Sequence, residues 1–196
     1  MNELKKAIRL TIVLIVICGL AYPLLITGIG QVLFPNQANG SVITHNGKEV
    51  GSKLIGQQYN DDGHFMGRIS AVNYNTSNDG KEIDATSGSE NLGPTSDALK
   101  QRVEGDIKAF LEKNPTLSKE DISSELISQS GSGLDPDITP MGAKIQVERI
   151  SKATGISNDN LNKLIDKNTT GKWLGLFGEE RVNVLELNMA VDDVKK

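Results

Sequence analysis

The feature that most constrains this chain is a long uncharged stretch near its N-terminus. No Asp, Glu, Lys or Arg occurs between Arg9 and Lys48, and residues 10–29 are almost all apolar. An α-helix over those residues rises about 30 Å, which matches the hydrocarbon core of a bilayer. The apolar pattern continues as far as Leu33, so the sequence predicts one transmembrane helix over residues 10–33.

The charges that flank this segment predict its orientation. Lys5, Lys6 and Arg9 outnumber Glu3 on the N-terminal side, and the cytoplasmic flanks of membrane helices carry an excess of Lys and Arg. The sequence therefore predicts a single-pass protein of the cell membrane in three parts: a cytoplasmic stub over residues 1–9, the transmembrane helix over residues 10–33, and an extracytoplasmic domain over residues 34–196.

Two other fates of the apolar segment remain open at this stage. Gly19-Leu20-Ala21 offers small residues for cleavage of a signal peptide, although the apolar run is long for one. Lipidation at Cys18 is disfavoured because Ile17 precedes it where a small residue is expected. A retained anchor is the preferred interpretation, with a kink expected at Pro23 because proline cannot donate a helical hydrogen bond.

The predicted parts of the chain differ in net charge. The whole chain has a net charge of −4, and the first nine residues carry +2, which leaves −6 on the residues that follow. Such an acidic domain lacks the basic surface of a nucleic-acid-binding protein. The single cysteine excludes a disulfide framework and a cysteine-rich metal site. We therefore expect neither nucleic acid nor a metal among its ligands.

Local patterns after residue 34 predict an α+β domain, with helices packed on a small, mainly antiparallel sheet. Asn46-Gly47 between two short apolar runs predicts a β-hairpin. Helix caps at Thr95 or Ser96, at Thr139 and at Ser157 predict three helices, and strict apolar alternation predicts a strand. The predicted elements are helices over residues 96–113, 140–153 and from 158, the last with Leu161, Leu164 and Ile165 inward; strands over 53–59, 125–128 and 181–191; and a long loop over 60–95.

The motifs of independent enzymes are missing from this sequence. It contains no Ser-x-x-Lys nucleophile pattern, no Gly-x-Ser-x-Gly elbow and no complete phosphate-binding P-loop. The two histidines, His45 and His64, lie in polar turn contexts and are interpreted as surface residues. We therefore expect a protein that is not itself an enzyme.

Several longer segments, in a fixed order, carry a more specific signal. They are the anchor around Tyr22-Pro23-Leu24 and residues 65–75, 87–96, 129–140 and 177–188. Together they resemble the C subunit of the Kdp-type potassium-transporting P-type ATPase. The resemblance implies a non-catalytic accessory subunit of a high-affinity potassium uptake complex. Its implied partners are a channel-like subunit that handles potassium and a P-type subunit that hydrolyses ATP, and it is expected to support their assembly and raise the affinity for ATP or potassium.

The same resemblance implies a candidate nucleotide-binding segment, since backbone N–H groups of a Gly-Ser turn can bind phosphate. A structural interpretation competes with it: Gly131 and Gly133 would permit positive φ in a tight turn, and Asp135-Pro136 would orient the chain towards the Thr139 cap. The predicted topology favours the structural interpretation because ATP is scarce outside the cell. A scaffold or adhesion module independent of any pump is the alternative function. The candidate residues, with ATP as the implied ligand, are Gln129, Ser130, Gly131, Ser132 and Gly133.

Overall fold

The computed structural model describes residues 2–76 and 84–195. The chain divides into two compact units, Met1–Ile43 and Thr44–Lys196. The predicted loop over residues 60–95 lies partly outside the described residues, since residues 77–83 are not among them. The described remainder of that loop contains only short turns, such as the 3₁₀ turn Asn73–Asn75.

The N-terminal unit is dominated by one helix over Asn2–Leu33, which is long and apolar enough to cross a membrane. At 1.5 Å per residue its 32 residues extend about 48 Å. It comprises α1 (Asn2–Leu14), a π-helical segment (Ile15–Ala21) and α2 (Tyr22–Leu33), and the short α3 (Pro35–Ala38) follows. Among the described residues, no other helix meets this criterion.

The π-helical segment has a cause in the sequence. Pro23 has no N–H, and in an α-helix its ring would clash with the carbonyl of Gly19 four residues earlier. The Tyr22 N–H instead donates to the Ile17 carbonyl, a bond of π-helical spacing. The helix thus continues past Pro23 with altered hydrogen bonding, while the predicted kink stays a prediction.

The second unit combines short strands and helices, as predicted for an α+β domain. β1 pairs with β2, and the second sheet has the order β3-β5-β4 with both pairings antiparallel. Ile138 lies opposite Val182, and Thr169 lies opposite the same valine on the other side. The elements are β1 (Val42–His45), β2 (Lys48–Ser52), α4 (Asp97–Lys113), β3 (Asp137–Ile138), α5 (Pro140–Lys144), α6 (Val147–Thr154), α7 (Asn158–Asn168), β4 (Thr169–Thr170), β5 (Arg181–Asn183) and α8 (Val184–Val194).

One hydrophobic core holds these elements together. Its fully buried members come from α5, α6, α7, α8, the strands β3 and β5, and the loop that carries Phe65. Burying a side chain of this size contributes about 1.5–3 kcal/mol. The largest of them are Phe65, Ile138, Ile150, Leu161, Ile165, Val182, Leu187 and Val191.

Predictions from local signals were largely confirmed. Asn46 and Gly47 both have positive φ in the β1–β2 turn, as a type I′ hairpin requires. Ser96 and Ser157 cap α4 and α7 through their side chains. Gly155 ends α6 in the left-handed conformation. Within α7, Leu161 and Ile165 are buried as predicted, and Leu164 is partly buried.

The predicted strand over residues 181–191 is wrong beyond Asn183. Only Arg181–Asn183 forms a strand, and α8 begins at Val184. The Asn183 side chain accepts a hydrogen bond from the Glu186 N–H at 3.1 Å and so caps the helix. The buried positions are separated by the three- and four-residue spacings of a helix, and they are Val184, Leu185, Leu187, Asn188 and Val191. This helical pattern coexists with the alternation of leucines that suggested a strand.

Three further predictions need correction. Residues 53–59 form turns and irregular chain instead of a strand. The predicted strand over 125–128 is replaced by the 3₁₀ turn Ser124–Leu126. The helix predicted over 140–153 is interrupted at Ile145 and Gln146, which separate α5 from α6. At this break the Gln146 side chain turns towards the 65–68 segment, as described below.

Candidate functional site

The Gly-Ser segment over residues 129–133 lies against the segment that follows Phe65. Gln129 and Ile69 form a parallel β-bridge, in which the Ser130 N–H donates to the Ile69 carbonyl at 3.0 Å. Arg68 adds a bond from its guanidinium to the Gln129 carbonyl at 3.3 Å. Two of the sequence segments that carry the family resemblance are therefore packed side by side.

The serine hydroxyls of this segment form hydrogen bonds with the backbone of the same turn. Ser130 is 1% exposed, and its Oγ accepts the Gly133 N–H at 3.1 Å. Ser132 Oγ accepts the Leu134 N–H at 3.1 Å and lies 3.2 Å from Ser130 Oγ. Hydroxyls engaged in this way stabilise the turn.

A third segment of the resemblance crosses over the turn. The Ser132 carbonyl accepts the Gly88 N–H at 2.8 Å and the Ser87 hydroxyl at 3.0 Å. The Gln129 Oε1 accepts the Glu90 N–H at 3.3 Å. The turn is thus held between residues 68–70 on one side and residues 87–90 on the other.

The two glycines of the turn differ in backbone conformation and in the space around them. Gly133 has φ of +67°, and a Cβ built there would lie 2.7 Å from both the Gly88 carbonyl oxygen and Val72 Cγ2. Gly131 does not have positive φ, and a Cβ there would meet nothing within 4 Å. The prediction of positive φ is therefore confirmed for Gly133 and wrong for Gly131.

The guanidinium groups that bond to this region already have anionic partners. Arg68 donates to Asp135 at 2.8 Å, and Arg102, which also bonds the Ile127 carbonyl, donates to Asp106 at 2.6 Å. Burial raises the pKa of Asp106, although the charge of Arg102 opposes the rise. Among the described residues, the N–H groups of Gln129, Gly131 and Ser132 lack a hydrogen-bond partner, and the last two are adjacent in the turn.

Tyr74 stabilises the same region through hydrogen bonds to residues 68 and 70. It is buried, its hydroxyl donates to the Arg68 carbonyl at 2.6 Å, and its N–H donates to Ser70 Oγ at 2.9 Å. Ser70 Oγ in turn donates to the Gly133 carbonyl at 2.6 Å. Burial raises the pKa of Tyr74 to about 12, with a further rise from Asp135 that Arg68 opposes.

This pKa predicts a specific loss of stability at alkaline pH. A group whose pKa is about 12 when folded and 10 when unfolded stabilises the fold fully below pH 10, and this contribution disappears as the pH rises through 12. The difference corresponds to about 3 kcal/mol in all. We expect Tyr74→Phe to have a flatter decline of unfolding free energy between pH 9 and 11.5 than the unsubstituted chain, measured by urea denaturation. An equal decline in both proteins would contradict the assignment.

Two side-chain amides each form a pair of hydrogen bonds with the backbone of the segment at Phe65, in the way that a neighbouring β-strand does. Asn188 on α8 accepts the Phe65 N–H at 2.7 Å and donates to the Phe65 carbonyl at 3.0 Å. Gln146 makes the same pair of bonds to Met66, at 2.9 and 3.1 Å. Neither role is predictable from local sequence patterns, in which the only signal is a pair of amides within otherwise apolar helical patterns.

Arg149, in the first turn of α6, extends this network to the preceding loop. It is 6% exposed and donates to two side chains, Asn114 Oδ1 at 3.2 Å and Gln146 Oε1 at 2.8 Å. Burial lowers its pKa, although Asp62 and Asp61 oppose the change. Its remaining bonds go to three backbone carbonyls, those of Asp61, Asp62 and His64.

His64 is not the surface residue that the sequence suggested. Its side chain is 19% exposed and lies between Asp61, 2.8 Å from Nδ1, and Asp192 on α8, 3.0 Å from Nε2. Burial acts to raise the pKa of both carboxyls, but their hydrogen bonds and charge interactions, those with His64 foremost, together outweigh burial and lower the pKa of each. His64 therefore links the loop to α8, within the same network as Arg149.

No described cluster suggests a metal centre: over residues 2–76 and 84–195, no group of three or more His, Cys, Asp or Glu side chains is arranged to hold an ion. Three of the segments that carry the resemblance, residues 65–75, 87–96 and 129–140, meet in one hydrogen-bonded region of the second unit. The fold and this region define a protein whose described residues comprise one candidate membrane span and a compact α+β domain, in which the most distinctive loops are hydrogen-bonded to one another.

Comparison with known proteins assigns the family. The family model for "K+-transporting ATPase, c chain" matches residues 4–193. Three relatives that carry the name potassium-transporting ATPase KdpC subunit come from Clostridioides difficile (50% identical, covering 97% of each chain), Clostridium kluyveri (49%, covering 96% of this chain and 92% of the relative) and Caldanaerobacter subterraneus (45%, covering 100% and 97%). The chain belongs to the KdpC family and is a membrane-bound subunit of a potassium-transporting ATPase, which confirms the resemblance noted in the sequence.

Proposed function

We propose that this chain is a non-catalytic accessory subunit that assembles with a channel-like potassium-translocating subunit and an ATP-hydrolysing P-type subunit. In this proposal the N-terminus lies in the cytoplasm, and the domain after residue 34 lies on the outer side of the membrane. There it raises the affinity of the complex for potassium. Membership in the KdpC family favours this role over a scaffold or adhesion module independent of a pump.

The observation that carries the choice of potassium over ATP is the hydrogen bonding of the 129–133 turn. Ser130 Oγ and Ser132 Oγ accept bonds from the turn's own backbone, and Arg68 is paired with Asp135. Phosphate sites normally combine several free N–H donors with an uncompensated cation. We therefore infer that this turn shapes the domain and that nucleotide is bound by the partner subunit.

The charge of the domain suggests how it would act on potassium. A net charge of −6 raises the local concentration of cations near the surface, and the effect extends about 8 Å at physiological ionic strength. This field would not distinguish potassium from sodium, since selectivity requires a coordinating filter. The domain would supply ions to the entrance of the pathway, and the partner subunit would select among them.

Neutralising exposed carboxylates tests this mechanism. We expect Glu49→Gln, Glu104→Gln, Asp159→Asn and Glu180→Gln together to raise the potassium concentration for half-maximal ATPase activity of the purified complex by about two-fold at 10 mM ionic strength. The increase should vanish at 150 mM, where screening is strong. An unchanged potassium dependence at low ionic strength would contradict the electrostatic mechanism.

A matched set of variants controls for non-specific effects of changing four surface residues. Lys100, Lys108, Lys163 and Lys167 are also exposed, and their replacement by glutamine makes the domain more acidic. We expect this set to shift the potassium dependence in the opposite direction at low ionic strength. A shift in the same direction as the carboxylate set would show that the effect does not follow charge.

Nucleotide binding by the turn is the competing proposal, and the two free amides at Gly131 and Ser132 favour it. The full chain in detergent micelles can be titrated with ATP by calorimetry. We expect no saturable binding at millimolar concentrations. Saturable binding at or below 1 mM would instead support a direct role of residues 129–133 in raising the affinity of the complex for ATP.

A further inference from the structure

The connection between β4 and β5 carries a group of large apolar side chains that do not pack into the hydrophobic core of the domain. Trp173 and Phe177 pair as an antiparallel bridge, with the Trp173 N–H donating to the Phe177 carbonyl at 2.8 Å and the reverse bond at 3.0 Å. Their rings lie with centroids 5.7 Å apart. Four side chains of this hairpin, which we term the apolar tip, are between 60% and 77% exposed: Trp173, Leu174, Leu176 and Phe177.

The backbone of the apolar tip is held in a conformation that its sequence does not favour. Leu174 has φ of +53° and Gly175 has φ of +72°, so the turn places a bulky residue where Asn, Asp or Gly is normally found. A leucine in this region is disfavoured relative to glycine. Because Leu174 is exposed, packing within the described domain does not account for its presence. Such strain, at an exposed position, points to an external contact.

The surroundings of the apolar tip resemble the rim of a protein–protein interface. A groove of about 830 Å³ lies at the base of the hairpin, between α5 and the residues that flank the tip. Met141 is exposed within it, and Lys172 pairs with Glu179 at 3.5 Å. An apolar centre with charges of both signs around it is typical of surfaces that bind another protein. The groove is lined by Thr139, Pro140, Met141, Lys144, Lys172, Glu179 and Glu180.

The charges near the apolar tip also argue against a lipid surface as its occupant. Lys172 and Arg181 are balanced by Glu179 and Glu180, and the residues after the N-terminal stub carry −6 in all. Segments that bind the surface of an anionic membrane normally carry an excess of Lys and Arg. We propose that the apolar tip inserts into an apolar pocket on another protein subunit of the potassium-transporting complex, with Trp173 as the principal anchor. This inference rests on the proposed role as a subunit that assembles with partners.

Site-specific photo-cross-linking in the intact complex tests the proposal. A benzophenone amino acid replaces Leu176 in the apolar tip, Lys163 on the exposed face of α7, or Leu24 in the candidate span. We expect Leu176 to cross-link to another pump subunit at least ten times more efficiently than Lys163. Cross-linking from Leu176 to lipid or to a second copy of this chain would overturn the proposal, as would an efficiency no higher than that at Lys163.

The Leu24 position separates this inference from the proposed function. Cross-linking from Leu24 to a pump subunit, without any from Leu176, would leave the accessory role intact and overturn the role of the apolar tip. No cross-link to a pump subunit from either position would contradict both. As a second measurement, Trp173→Ser with Phe177→Ser is expected to lower recovery of the partner subunits with this chain at least five-fold. Unchanged recovery would overturn the proposal, and circular dichroism checks that the variant is folded.

Discussion

Replacing Arg149 with methionine is expected to lower the free energy of unfolding of the second unit by at least about 3 kcal/mol. The guanidinium is the shared donor for five acceptors, of which three are the backbone carbonyls of Asp61, Asp62 and His64. Methionine matches much of its length and fills similar space, so the expected loss comes mainly from acceptors left without a donor. Buried acceptors without a partner cost about 1–3 kcal/mol each, and some of these would be rehydrated.

Urea denaturation of the full chain in detergent, followed by circular dichroism, measures this effect. Lys152→Met on the same helix is the matched control, because Lys152 is exposed and its ion pair with Glu148 lies at the surface. An exposed pair of this kind contributes little to stability. If Arg149→Met and Lys152→Met lowered the unfolding free energy equally, the central role of Arg149 would be wrong.

The Arg149 network also shows where reasoning from the sequence ends. Local signals depend on neighbouring residues, so Ser96, Ser157 and the Asn46-Gly47 turn were correctly predicted from caps and turn chemistry. Arg149 instead bonds carbonyls more than 80 residues earlier in the chain. Periodicity marks such a residue only as a polar position on a helix, and its partners become known only from the tertiary structure.

The β5–α8 junction shows a second limit, in which two valid patterns overlap. Leu185, Leu187 and Val191 follow the two-residue alternation of a strand, and Leu187, Asn188 and Val191 follow the spacing of a helix. The cap at Asn183 and the burial of Asn188 against Phe65 decide in favour of the helix. Asn183 followed by Glu186 was a local helix-start signal, but counting apolar residues gives no weight to it.

The candidate site was predicted in part for the same reason. Segments 65–75, 87–96 and 129–140 identified the family, and the structure brings them together around the Gly-Ser turn. The sequence of the Gly-Ser turn could not distinguish a turn that binds a ligand from one that forms hydrogen bonds between loops, because both kinds of turn need glycine and serine. The distinction depends on which donors are already used, and that is a property of the folded chain.

Substituting the two glycines of the turn separately is expected to distinguish these two roles. Gly133→Ala should lower the unfolding free energy by about 2–5 kcal/mol, since a Cβ would combine an unfavourable φ with contacts at 2.7 Å to Gly88 and Val72. Gly131→Ala should change it by less than about 0.5 kcal/mol, because its surroundings are open. The same urea denaturation measures both, and equal effects would contradict the described geometry.

The Gly131 variant then bears on function without the complication of a damaged fold. A phosphate bound by the free amides of Gly131 and Ser132 would have to approach the backbone closely, and a methyl group at Gly131 would obstruct it. If the turn is structural, the ATP concentration for half-maximal activity of the purified complex should be the same with Gly131→Ala as without it. A several-fold increase in this ATP concentration, at unchanged stability, would instead identify the turn as part of a nucleotide site. The domain accommodates the added methyl group, so the effect would have to come from contact between the methyl group and a bound ligand.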